Sequence, residues 1–370
     1  METQAQPTLR PLRLGELLDR AIRLYRGNFL TFIGIIAVVY VPLMVLQTAA
    51  SALMSSSVVA GGFSTPDELF SNYAYWVAIL SSFILILVQF VLVQGIATGA
   101  LTRAVADNYL GKKTGILDAY RGLGSSWPTL LAALVFILLI FLVLMLWWLV
   151  PCIGWFTGLG MMLFLMAVIN PLVAPVVVLE GSGPWSSPQD NIFQRFSNWI
   201  VRSVLAVNRA WSLSRRRFWP VLGYIFILYL FSLIVVNGPA AIVNLLLAQL
   251  VPSFGDSTMQ LVVTSIIQGL ISLVFVLIYY PLQMTAFTLI YFDLRVRTEG
   301  FDIAFLTMET SSSTDLSEAE TVPVPQVNEK LITGAEIGNF AILTLAGAGL
   351  YILFTSFIAA IMLFLFSLMG

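Results

Sequence analysis

Few side chains in this sequence can do chemistry, and most of those that can are arginines and amides. Arg195, Arg202, Arg209 and Arg216 recur every seven residues. On a helix they keep to one slowly drifting stripe, with Phe193, Phe196, Ile200, Val204, Val207 and Trp211 on the apolar side. Arg215 and Arg217 extend the basic end of that stretch, and Arg13, Arg20, Arg23 and Arg26 crowd a shorter one near the N-terminus. Fifteen arginines stand against three lysines. A guanidinium presents a planar fork to phosphate or carboxylate. These ten arginines are therefore candidate contacts for lipid phosphate or for an acidic partner.

The second group is uncharged. Gln89, Gln94, Asn170, Asn244, Gln249, Gln268 and Gln283 interrupt long apolar runs. Amides in such places hydrogen-bond between helices, and Asn170, Asn244 and Gln283 are also the candidate substrate site of a transporter. Other chemistries are excluded by what is missing. The chain has no histidine and one cysteine, Cys152. That removes His-based metal sites, Ser-His-Asp catalysis and any intrachain disulfide. With no paired carboxylates in apolar sequence either, the expectation is no enzyme and no cofactor. A net charge of −1 gives no basic footprint for nucleic acid.

The elements that must position these groups are membrane helices. Of 370 residues 59% are apolar and 10% charged, where a soluble domain carries about 25% charged. Seven apolar segments are long enough to cross a bilayer: Phe29–Leu53, Tyr75–Leu101, Pro128–Val150, Trp155–Leu179, Phe218–Leu250, Met259–Tyr291 and Ile337–Met369. All eighteen basic residues fall in the N-terminal segment and in the loops after spans 2, 4 and 6. The positive-inside rule makes that side cytoplasmic, and the C-terminus faces out if the seventh segment spans.

Three stretches on the basic side align without gaps: Arg20-Ala21…Phe29, Asp118-Ala119…Trp127 and Arg209-Ala210…Phe218. In each, an alanine is followed eight residues later by the aromatic that opens a span. This predicts an all-α core of three units, each an interfacial helix followed by a two-span hairpin. The first helix shows the pattern most clearly. Leu14, Leu17, Leu18, Ala21 and Tyr25 share one face, and Glu16–Arg20 and Asp19–Arg23 are i,i+4 pairs. Residues 1–28 form this amphipathic cytoplasmic segment. Residues 29–307 form the six-span core, with further interfacial helices near 115–126 and 192–217. Residues 308–335 are a polar, acidic linker, and 336–370 a tethered seventh transmembrane helix.

Pro42, Pro171, Pro175, Pro239 and Pro281 lie within spans and kink or break their helices. Asn237-Gly238-Pro239 combines a turn former with two breakers. Span 5 is expected to end there, with Ala240–Leu250 lying as an outer interfacial helix.

The run Leu9-Arg10-Pro11-Leu12-Arg13-Leu14-Gly15-Glu16-Leu17-Leu18-Asp19-Arg20-Ala21, with Leu24-Tyr25-Arg26 and Phe29, resembles the start of a known membrane domain. That domain accompanies some bacterial glycerophosphodiester phosphodiesterases and also occurs in free-standing proteins. Ala174-Pro175-Val176-Val177-Val178-Leu179-Glu180-Gly181 and Arg209-Ala210-Trp211-Ser212-Leu213 extend the likeness over roughly residues 9–307. The stretch from Gly181 to Asn208 is longer than the family's usual link. The linker and seventh span are additional, and the phosphodiesterase domain is absent. The resemblance implies a bacterial inner (plasma) membrane module and carries over no catalytic residue.

Two functions remain open on the sequence. The first is a non-enzymatic membrane scaffold or accessory subunit. Its Arg-rich interfacial helices hold phospholipids, and other membrane subunits meet it through the seventh helix or the cytoplasmic face. The alternative is a transporter or lipid-handling protein with a site among broken helices near the midplane.

Overall fold

A lipid-exposed backbone inside a bilayer can satisfy its N–H and C=O groups only from within, so apolar segments of this length fold as helices. A computed structural model of the chain describes residues 10–61, 73–124, 126–180, 192–250, 257–303 and 333–369. The expected linker lies largely outside them. Among the described residues there is no strand, and seven helical segments are long and apolar enough to cross a membrane. The chain is an all-α multi-pass membrane protein.

The helices are α1 (Leu14–Gly27), α2 (Phe29–Gly61), α3 (Tyr73–Gln89), α4 (Thr98–Tyr109), α5 (Ile116–Leu123), α6 (Ser126–Trp147), α7 (Ile153–Phe164), α8 (Asn170–Glu180), α9 (Ile192–Arg215), α10 (Phe218–Ser232), α11 (Gly238–Leu250), α12 (Ser257–Glu299) and α13 (Gly334–Met369). The amphipathic helices α1, α5 and α9 each precede a long apolar helix. The aligned alanines are the packing points. Ala21, Ala119 and Ala210 are all buried to within 1%, where a larger side chain would hold the amphipathic helix off the bundle. The α7–α8 segment is the centre of the fold. In its most apolar window 67% of residues are buried, against 11–28% in the other six spans.

The prolines do not break the helices as expected. The break at Asn237-Gly238-Pro239 is absent: α10 runs into α11 through a π-helical turn, Leu233–Asn237, with Gly238 in the right-handed helical region. Gly238 N–H donates to Leu233 O, five residues back. The same arrangement precedes Pro171, where the π turn Leu165–Ile169 ends with Asn170 N–H on Leu165 O. Proline has no N–H to donate and its ring collides with the carbonyl four residues back. In both cases that carbonyl belongs to the wider π turn, so the chain stays helical. A third π stretch, Phe90–Ala97, joins α3 to α4 with Thr98 N–H on Val93 O. Residues 240–250 therefore continue span 5.

The seventh segment packs on its own core. Gly160 of α7 meets the Phe340 carbonyl and the Thr344 hydroxyl of α13 so closely that a Cβ there would overlap them. Its N–H donates to Thr344 Oγ1 at 2.8 Å. Phe340 closes an aromatic cluster with Phe164, Trp211 and Phe218. At the start of α13, Trp219 Nε1 donates to Asn339 Oδ1 at 3.2 Å, and Arg215 lies 3.7 Å from Glu336. The α6–α7 hairpin turns on Cys152, exposed and free, at φ 65° and ψ −75°. Ile153 N–H bonds back to Pro151 O at 2.9 Å. This is the strained γ-turn conformation that L-residues rarely adopt.

Two substitutions test this packing. Gly160→Val should part α7 from α13 and cost roughly 2 kcal/mol as overpacking, lowering the thermal unfolding midpoint in mild detergent. Cys152→Gly should raise that midpoint by relieving about 1 kcal/mol of strain.

Candidate functional site

Two polar assemblies stand out: an uncharged cavity within the helices and an ion-paired cluster at their basic end. The cavity has a volume of about 150 Å³ and draws on five spans. Gln94 and Thr98 come from the π stretch and α4, Leu134 from α6, Asn170, Pro171 and Ala174 from α8, Tyr229 from α10, and Tyr280, Gln283, Met284 and Phe287 from α12. No lining residue is charged. Gln94 lies within the π stretch Phe90–Ala97, and Asn170 directly follows the π turn Leu165–Ile169. Asn170 lies ten residues before Glu180 in α8, about 15 Å deeper at 1.5 Å per residue. That places the cavity about a third of the way along span 4 from its basic end.

The hydroxyl pair in the cavity is satisfied. Thr98 Oγ1 donates to Val93 O at 2.8 Å, so the 2.6 Å contact with Tyr280 is donated by the Tyr280 Oη–H. The amides differ. Among the described residues, no hydrogen bond from the protein holds the side chains of Gln94, Asn170 and Gln283. An unpartnered amide in an apolar medium costs several kcal/mol. The cavity is roomy enough for water, or for a polar ligand that meets the same amides.

The charged cluster ties α8, α9 and α12 together. Arg209 Nε donates to Glu180 Oε2 at 2.9 Å and Nη2 to Glu180 Oε1 at 3.3 Å, and Arg209 also pairs with Glu299. Arg295 Nε donates to Glu299 Oε2 at 3.1 Å and stands 3.7 Å from Glu180. Tyr291 Oη donates to Glu180 Oε1 at 2.8 Å and accepts from Arg295 Nη1 at 3.3 Å. Two carboxylates face two guanidiniums, so the buried charges cancel. Burial by itself lowers the Arg209 guanidinium, but the hydrogen bonds and charges of Glu180 and Glu299 outweigh it and hold Arg209 above its ordinary value. A second clasp holds the N-terminal segment. Leu12 N–H donates to Asp293 Oδ1 at 2.8 Å, and Arg297, paired with Asp293 at 2.8 Å, reaches Leu12 O.

The arginines singled out from the sequence part into two sets. Arg209 and Arg215 face carboxylates of the protein. Arg20 stacks over the Tyr109 ring at 4.9 Å, and Arg23 pairs with Asp19 while staying exposed. Arg13, Arg26 and Arg216 are exposed, Arg202 and Arg217 half-buried. The Arg195 side chain lies outside the described residues. Of the candidate substrate site, Asn170 and Gln283 meet in the cavity, and the Asn244 side chain lies outside the described residues. Thr98, Tyr229 and Tyr280 were missed, as were Glu180, Tyr291, Arg295 and Glu299. Glu180 closing a long apolar span was the one visible signal.

Among the described residues no group of His, Cys, Asp and Glu could hold a metal. No family model, no curated protein and no solved structure matches the chain.

The cluster should behave as a unit. Arg209→Met leaves an unbalanced buried carboxylate and should cost roughly 3 kcal/mol, whereas the double variant Arg209→Met/Glu299→Leu should regain most of that loss. Thermal melts of the wild type and both variants check it.

Alkaline pH tests the interfacial anchors. Tyr25 Oη donates to Ile278 O at 2.7 Å and Tyr120 Oη to Ile35 O at 2.6 Å. Burial pushes both phenols up to about 12. A folded-state value above the unfolded one gives stability that is whole below about pH 10 and lost as pH rises through about 12. Tyr25→Phe and Tyr120→Phe should flatten the fall in stability over that window.

Proposed function

We propose that this chain is a transport or lipid-handling protein of the membrane, with its site at the cavity bounded by Gln94, Asn170 and Gln283. One observation carries this reading: three amides without protein partners among the described residues converge on open space within the spans. A bundle built only for packing would pair such groups or omit them, since each unmet one is costly away from water. The π turns add to the argument, because these distortions recur at functional sites. The chemistry the cavity offers is binding and release, since its lining carries amides and hydroxyls and no carboxylate, thiol or histidine.

In this proposal the basic end faces the cytoplasm of a bacterial inner membrane, following the loop charges. The chain is then a member of the membrane-domain family that its N-terminal run resembles. A second reading, a non-enzymatic scaffold or accessory subunit, is favoured by exposed Arg23 and Arg26 on α1 and Arg13 just before it, which offer a surface to phospholipid or to an acidic partner. Co-migration with another subunit after gentle extraction would favour it over the cavity.

The cavity is tested through its wetting. In a Cys152→Ser background, Asn170→Cys, Gln283→Cys and Gln94→Cys should react with a small methanethiosulfonate reagent, because a thiol becomes a nucleophilic thiolate only where water reaches it. Leu142→Cys, on the exposed face of α6, is the lipid-facing control and should react at least about tenfold more slowly. Equal, slow reaction at all four positions would overturn the proposal.

A further inference from the structure

The cavity's walls restrict what it can hold, and its position restricts how a ligand arrives. Tyr229 lines the cavity and is also 42% exposed on α10. Its neighbours Phe226, Leu230 and Leu233 are 53%, 46% and 54% exposed, all apolar, as a lipid-facing surface is. Tyr229 thus stands between the cavity and the outer apolar face of α10, which in a bilayer meets hydrocarbon. At the basic end the route is blocked. Tyr291 sits one turn beyond Phe287, bonded to Glu180, and the Arg209–Glu299 and Arg295–Glu299 pairs lie over it.

From this we infer that the cavity takes the polar end of an uncharged amphiphile that enters sideways from the bilayer, with its hydrocarbon tail remaining in the membrane against α10. The inference rests on the cavity being the site proposed above and names its ligand class. An ionic headgroup is disfavoured because no lining residue is charged, and a lone charge at mid-membrane is costly. A pure hydrocarbon is disfavoured because it would leave Gln94, Asn170 and Gln283 unmet. A hydroxyl or amide end group both donates and accepts, as each of those amides does. A free water-soluble solute is disfavoured by the route, since the Tyr229 side faces lipid and the basic end is closed by ion pairs.

The test uses the full-length protein in lipid nanodiscs with hexadecanol carrying a photoreactive diazirine next to the hydroxyl-bearing carbon. Cross-links are mapped by mass spectrometry. The expected result is labelling concentrated on the α8, α10 and α12 residues around the cavity. Unlabelled hexadecanol should suppress it, and hexadecyl sulfate should do so at least about tenfold less well, given the penalty for a buried charge. Glycerol in the surrounding water should not suppress it. Asn170→Leu/Gln283→Leu should lose the concentrated labelling, and Phe226→Leu should keep it. Labelling spread evenly over lipid-facing helices, equal competition by the sulfate, or suppression by glycerol would each overturn the inference. These readouts on the unaltered protein stand even if the double variant does not fold. If the cavity cysteines react with the thiol reagent but hexadecanol does not label, the ligand class fails and the cavity stands. If the cysteines stay inert as well, both fail.

Discussion

Inside a bilayer no water waits to hydrogen-bond a freed polar group, and that constraint organises this molecule. Backbone groups are met by helices that persist through Pro171 and Pro239 on π turns, where a soluble protein can let such a helix end. Side-chain charges are met by being gathered at one end and paired, across helices for Glu180 with Arg209 and Arg295 and for Glu336 with Arg215, and within α12 for Asp293 with Arg297. The amides of the cavity are not met in this way, and they line the space that is open to something other than protein.

The two polar assemblies are mechanically joined. Phe287 in the cavity wall and Tyr291 in the cluster are one turn apart on α12, and Ala174 and Glu180 share α8. With its charges balanced, the cluster fixes α8 and α12 relative to α9 without leaving a net charge at the membrane edge. A balanced buried cluster of this kind gives definite geometry more than net stability, which suits a site whose walls come from five separate spans. The amphipathic helices α1, α5 and α9 complete the frame, each docked through a buried alanine.

Much of this was legible in the sequence, because bilayer physics writes itself into composition. The seven spans, their amphipathic leaders and the gathering of arginine on one side follow from apolar run length and charge placement. Asn170, Gln283 and Gln94 were visible as amides in apolar runs. The pairing of Glu180 with Arg295 was not, since it joins residues 115 positions apart and each looks like an ordinary interfacial charge. Tyr229 and Tyr280 were hidden because tyrosine in a span is unremarkable until its hydroxyl has a place to point. The break expected at Asn237-Gly238-Pro239 failed for a physical reason. Turn chemistry that ends a helix in water is overruled where an ended helix would strand its carbonyls in lipid.

The central claim is that Gln94, Asn170 and Gln283 converge on a space not filled by protein. A side-chain-resolution electron cryomicroscopy reconstruction of the protein in lipid nanodiscs tests it most directly. The account predicts density for water or a bound molecule within hydrogen-bonding distance of all three amides, continuous toward lipid beside Tyr229. Amides bonded to one another across a closed, filled interior would contradict it.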